Sequence, residues 1–137
     1  MAFVLDNSVV CGWILKNQSS DYSTAIARRL ERERAVAPPL LRLEIVNVLR
    51  TACKRQIMIA SQAQELLAQL SRLPVEINPN SPEPGLLLGL ALRFDLTVYD
   101  AAYLELALRM QLPIATQDAA LAEAARIAGV GVVECEL

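Results

Sequence analysis

Apolar residues in this chain fall into short solid runs and longer stretches with a period near 3.6, and the two kinds alternate. Ala2 to Asp6 reads as a buried strand that ends on a carboxylate. Ser8 to Leu15 reads as a short helix, Asn17 to Asp21 as a polar loop, and Tyr22 to Arg34 as a helix with Ala25, Ile26, Ala27 and Leu30 on or near one face. Ala35 to Ala37 is a very short strand, stopped by Pro38-Pro39, which opens a long apolar helix from Leu40 to Arg55. Ser61 to Leu73 is another helix, with Ser61 as its cap, and Val75 to Ile77 a short strand. A Pro-rich turn over Asn78 to Pro84 leads to a helix from Gly85 to Phe94. Leu96 to Tyr99 leads into a helix from Asp100 to Met110, Pro113 to Thr116 is a strand, and Asp118 to Ala128 is a helix closed by Gly129. Val130 to Val133 is the last strand. Strands alternating with helices predict an α/β domain with a mainly parallel sheet.

Composition adds limits to that pattern. At 137 residues the whole chain, 1–137, is expected to form a single domain. Apolar residues make up 54% and aromatics only 4%, so the core is built from Leu, Val, Ile and Ala, and some apolar surface is left for a partner. The longest apolar runs, Val9 to Leu15 and Gly85 to Leu92, are far short of the ~20 residues that span a bilayer. No basic segment precedes the first apolar stretch, so no secretory signal is expected, no membrane contact either, and the expected location is cytoplasmic. Cys11, Cys53 and Cys135 form no CxxC pair and read as small core residues rather than zinc ligands or a disulfide framework.

The chain has no histidine, which removes the commonest general base, the commonest metal ligand and every Ser-His or Cys-His nucleophile. Catalysis, if present, falls to carboxylates, hydroxyls, Lys, Arg or a hard metal ion. A net charge of −2 is not the overall footprint of a nucleic-acid binder. Local basic patches remain: the Arg-rich stretch from Arg28 to Arg34, then Arg42, Arg50, Lys54 and Arg55, are candidate RNA or partner contacts, although each alone reads as a solvated helix face.

Four acids do not fit the pattern around them. Ligands of parallel α/β sheets sit at the carboxyl ends of the strands, and Asp6 and Asp118 each follow a strand. Glu44 lies inside Leu40-Leu41-Arg42-Leu43-Glu44-Ile45-Val46-Asn47-Val48-Leu49, a helix apolar nearly all round and so expected to be largely buried, with Glu44, Asn47 and Thr51 on one stripe. Asp100 heads the helix that precedes the Asp118 strand. Each has a bland reading: Asp6 and Asp118 as helix caps, Asp100 answering a helix dipole, Glu44 paired with an Arg. Together they form a cluster of like charges that is stable mainly around a cation, and oxygen ligands without His or Cys select Mg²⁺ or Mn²⁺.

Phe3-Val4-Leu5-Asp6-Asn7-Ser8, Leu43-Glu44-Ile45-Val46-Asn47-Val48-Leu49, Tyr99-Asp100-Ala101-Ala102-Tyr103-Leu104 and Ala115-Thr116-Gln117-Asp118-Ala119-Ala120-Leu121, in this order and spacing, resemble the motifs of the PIN-domain ribonucleases. The likeness is closest to the VapC-like toxins of prokaryotic toxin–antitoxin pairs. It implies a three-layer α/β/α fold around a parallel sheet and an acidic pocket of Asp6, Glu44, Asp100 and Asp118 that holds Mg²⁺, with Mn²⁺ as an alternative. It also implies metal-dependent endoribonuclease activity leaving a 5′-phosphate and a 3′-hydroxyl, a homodimer, and inhibition by a cognate antitoxin. Ser8 and Thr116 match the family's hydroxyl positions, Asn47 is a further supporting residue, and Asn7 departs from the small residue usual at its place. The alternative is a partner-binding module of the same fold with little or no catalysis. A receiver domain lacks its phosphoacceptor here, since no Asp follows Val75-Glu76-Ile77, and Ser8 stands where a haloacid-dehalogenase-type phosphatase needs its second Asp.

Overall fold

Four strands and seven α-helices alternate along residues 1–135, the part of the chain described by the computed structural model. They are β1 (Ala2–Leu5), α1 (Asn7–Ile14), α2 (Asp21–Arg29), β2 (Arg34–Ala37), α3 (Leu40–Lys54), α4 (Ala60–Leu70), β3 (Val75–Ile77), α5 (Pro84–Phe94), α6 (Val98–Met110), β4 (Ile114–Ala115) and α7 (Ala119–Ala128). A short 3-10 helix, Lys16–Gln18, follows α1.

The sheet runs in the order β3-β2-β1-β4, and every pairing is parallel. Phe3 stands opposite Ala35, Val4 opposite both Val36 and Ile114, and Ala37 opposite Ile77. From β1 the chain steps outward to β2 and β3, then crosses back to β4 on the other side of β1. Right-handed crossovers therefore put α1–α4 on one face and α5–α7 on the other. Helix contacts follow that division: α1 touches α2 and α3, α3 touches α4, and α6 touches α5 and α7. This is the expected three-layer α/β/α architecture. The central strands are buried on both faces, which is why they read as solid apolar runs.

The core joins Phe3, Val4 and Leu5 to Ile26, Leu41, Leu104, Leu106, Ile114 and Leu121. It uses few aromatic rings, so close approach depends on small residues. At Gly12 a Cβ would lie 2.7 Å from Ser23 Cβ and 3.0 Å from Gln117 Nε2, so glycine is what lets α1 sit against α2 beneath that amide.

Several sequence expectations shift. The second helix stops at Arg29 rather than Arg34, because Arg34 pairs with Ala2 at the start of the sheet and the chain must turn first. Its cap is Ser20, which exchanges hydrogen bonds with Ser23. Ser61 does not cap α4. The helix starts one residue earlier, after Ile59, whose amide donates to Gln62 Oε1 at 3.0 Å. Helix α6 starts at Val98 because Thr97 Oγ1 accepts the Asp100 amide. The last strand reduces to one parallel bridge between Ile114 and Val132. Helix α3 is not largely buried: Leu43 is 71% exposed and Val46 48%, while Leu41, Leu49 and Ala52 face the core.

Candidate active site

Asp6 ends β1 and caps α1, and Asp118 follows β4 and caps α7. The bland reading of these two acids is therefore correct, and it is incomplete. Successive connections leave β1 for β2 on one side and return to β4 on the other. The β1/β4 boundary is thus the switch point of the sheet, where parallel α/β folds open a crevice at their carboxyl edge. Asp6 and Asp118 flank it.

Three hydrogen bonds converge on Asp6 Oδ2. Ser8 Oγ donates at 2.7 Å, Thr116 Oγ1 at 2.7 Å and the Ser8 amide at 3.4 Å. Each hydroxyl in turn accepts a backbone amide, Ser8 Oγ from Gln117 at 2.7 Å and Thr116 Oγ1 from Asp118 at 3.0 Å. A hydroxyl carries one proton, so each spends its proton on the carboxylate while one lone pair accepts a backbone N–H. The result is a directed relay, amide to hydroxyl to carboxylate, that fixes Asp6 in one orientation. Asp118 Oδ2 accepts the Leu121 amide at 2.8 Å.

Glu44 reaches the site from α3. It is half-buried, and Tyr103 Oη, fully buried on α6, donates to its Oε1 at 2.5 Å. Asp100 sits in the first turn of α6, half-buried. Helix α6 runs back toward the start of β4, so its first turn lies at the carboxyl edge of the sheet.

The electrostatics link these acids, since Asp100 feels the charges of Asp118 and Asp6 and Glu44 those of Asp6 and Asp100. Burial pushes the Asp100 carboxyl up to about 6, helped by the charges of Asp118 and Asp6. Burial also raises Glu44, with Asp6 and Asp100 adding to the rise while the Tyr103 hydroxyl opposes it. Asp6 is raised by burial, against the pull of Ser8 and Thr116. Each is a carboxylate held near others in poor solvent, a state that a cation relieves.

Among the described residues no three acidic or cysteine side chains come close enough to ligate one ion directly. The donor set nonetheless fits a hard cation. It is all oxygen, and Mg²⁺ commonly keeps several waters while one or two carboxylates and a substrate phosphate complete its shell.

Some expected residues stand apart. Asn47 lies one turn beyond Glu44, exposed, and lines an adjoining recess rather than touching the acids. The arginines of the Arg-rich stretch lie at the far edge: Arg28, Arg29 and Arg32 surround Met1 at the amino ends of the strands, and Arg29 is paired with Glu33. Two contributors were not singled out from sequence. Tyr103 is three residues after Asp100, a spacing that puts both on one helix face, and that is a usable signal. Gln117 gave none: its Nε2 donates to the carbonyls of Ser8 at 2.9 Å and Gln18 at 3.5 Å, and its Oε1 accepts from Ser20 Oγ.

Comparison with known proteins agrees with the fold. The family model described as PIN domain matches residues 3–127. The chain is 31% identical over 120 residues to Ribonuclease VapC12 of Mycobacterium tuberculosis, in strains CDC 1551 / Oshkosh and ATCC 25618 / H37Rv alike, covering 88% of this chain and 89% of each relative.

Proposed function

The chain belongs to the PIN-domain family in its VapC-like branch, and from that premise we propose that it is a divalent-metal-dependent endoribonuclease, the toxin of a toxin–antitoxin pair. The observation that carries the reading is the grouping of Asp6, Glu44, Asp100 and Asp118 around the β1/β4 switch point, where burial disfavours the ionised forms of Asp6, Glu44 and Asp100 and neighbouring acids add to the rise at Glu44 and Asp100.

A bound Mg²⁺ or Mn²⁺ supplies positive charge to the scissile phosphate and lowers the pKa of an attacking water. The chain's own residues prepare the rest. Asp6, Asp100 and Asp118 hold the ion or its waters. The Ser8–Thr116 relay keeps Asp6 from turning away. Glu44, steadied by Tyr103, is a ligand or orients the water through its second carboxylate oxygen. Asn47 supports the substrate rather than the ion.

Protein partners account for the apolar surface. Leu86, Leu88 and Leu92 on α5 and Leu43 and Val46 on α3 are exposed, and a cavity of about 410 Å³ opens between α3, α4 and the sheet. We assign these surfaces to a second copy of the chain and to an antitoxin. No helix of the described residues is long and apolar enough to cross a membrane.

The test is cleavage of a mixed structured RNA pool by protein freed of any co-purifying partner, with Mn²⁺, Mg²⁺ or EDTA, beside Asp118→Asn. Cuts that need metal and vanish in the variant are expected, with 5′-phosphate ends. Equal cutting by both proteins exposes a contaminating nuclease. A folded wild type that cuts nothing favours the partner-binding module instead.

A further inference from the structure

A smaller recess of about 180 Å³ opens between α3 and the end of α1 with the segment after it. Its floor is apolar, formed by Cys11, Leu15 and Val48. Its rim carries Gln18, Asn47, Thr51 and Arg55. None of those four side chains is engaged in a hydrogen bond or ion pair among the described residues.

Three observations relate this recess to the acidic edge. Cys11, in its floor, lies near enough to Asp6 and Glu44 that their charges add to burial in raising its thiol. Asn47 stands one turn beyond Glu44 on α3. The Gln18 carbonyl accepts from Gln117 Nε2, and the Gln117 amide donates to the Ser8 hydroxyl that holds Asp6.

We propose that this recess is a nucleotide subsite: it seats the base beside the scissile phosphate on its apolar floor, while Arg55 meets a neighbouring phosphate. The inference rests on the ribonuclease reading and names where the RNA strand runs. A polyanion cannot approach four carboxylates without cations along its path. The Arg28–Arg32 group is at the wrong edge of the sheet, whereas Arg55 stands at the rim with no acidic partner among the described residues. The volume is below the ~300–1,000 Å³ of pockets that take whole ligands and suits one ring system. Two amides and a hydroxyl around an apolar floor match the edges and face of a base, with hydrogen bonds at the rim and stacking below. The larger cavity under α3 and α4 is lined mostly by aliphatic side chains and suits a protein partner, and in the recess that borders Asp118 the cation, Arg126, is paired with Glu123, whereas Arg55 has no acidic partner among the described residues.

The test is anisotropy titration of a labelled random-sequence single-stranded RNA in EDTA, where no cutting occurs, over a range of salt. Wild type is compared with Arg55→Gln and Thr51→Val, each checked for folding by circular dichroism, and cut sites are sequenced in parallel with Mn²⁺. Arg55→Gln is expected to weaken binding roughly tenfold and to lower the salt slope by about 0.7, as loss of one single-strand phosphate contact requires. Thr51→Val is expected to alter base frequencies next to the cut. Unchanged affinity and slope in Arg55→Gln overturn the subsite, as does a wild type that binds no RNA. A variant that loses only a co-purified protein also overturns it and hands the recess to that partner. Cleavage with Arg55-independent binding ends the subsite and keeps the nuclease. Arg55-dependent binding without cleavage does the reverse.

Discussion

Asp6 combines a structural role as a helix cap with the chemical role proposed for it. As the cap of α1 it would need a single oxygen and a single amide, yet its Oδ2 also receives the hydroxyls of Ser8 and Thr116. Sequence suggested both roles, because Asp follows a solid apolar strand and Ser8 stands two places on. It could not show that Thr116 completes the pair from the other end of the chain. Thr116→Val keeps the shape and removes the hydroxyl. It leaves Asp6 short of a donor and the Asp118 amide without its acceptor. A loss of about 1–3 kcal/mol is expected, read by urea unfolding in EDTA. Asp100 offers a test with a definite sign. Its carboxyl is raised from 3.8 to about 6, so the metal-free fold binds this proton more tightly than the unfolded chain does. Stability from this group is therefore full below about pH 4 and is lost as pH rises through about 6. In EDTA, Asp100→Asn should gain on wild type across that window and hold a constant lead above it. A lead that does not change with pH would show that neither burial nor the neighbouring acids raise Asp100.

At the scale of elements, legibility followed local chemistry. Gly129 closes α7 with a φ of 88°, as a glycine after an apolar helix leads one to expect. The caps Ser20, Thr97 and Asp118 act through side chains close in sequence. Ser61 misled because a hydroxyl residue can also sit inside a first turn, and here Gln62 binds the Ile59 amide instead. The α3 helix misled more deeply. Its apolar circumference reads as burial, but Leu43 and Val46 face outward, and one sequence carries no mark separating a core face from a partner's face. Helices α5 and α6 end on Asp95 and Gln111 in the left-handed region, at φ 52° and 55°, without glycine. Gln111→Gly should relieve that conformation and raise stability by about 0.5–1 kcal/mol, seen as a higher Tm with unchanged circular dichroism. An unchanged or lower Tm would mean that the Gln111 conformation carries no strain worth relieving.

The whole molecule explains why the acids meet at all. They lie at positions 6, 44, 100 and 118, and only the parallel order β3-β2-β1-β4 with α6 running back toward β4 brings them to one edge. Sequence predicted the alternation and placed Asp6 and Asp118 by the rule for parallel sheets. It could not place the arginines, because the edge to which a helix end points depends on a turn, and Arg28–Arg32 end beside Met1 instead. A site of crowded carboxylates also ties ion binding to folding. Mg²⁺ or Mn²⁺ at about 100 times its dissociation constant should stabilise the fold by about 2.7 kcal/mol, and the shift in Tm should shrink in Asp6→Asn. Stabilisation that survives unchanged in that variant would place the ion elsewhere.

The most direct measurement is single-turnover cleavage of one labelled RNA in Mn²⁺ by wild type, Asp6→Asn, Glu44→Gln, Asp100→Asn and Asp118→Asn, each verified as folded. Carboxylates that act as one centre are each indispensable, so every variant should lose at least about tenfold in rate, the lower end of what even outer partners of a metal site contribute. Any one folded variant that cuts at the wild-type rate would contradict a single four-acid centre.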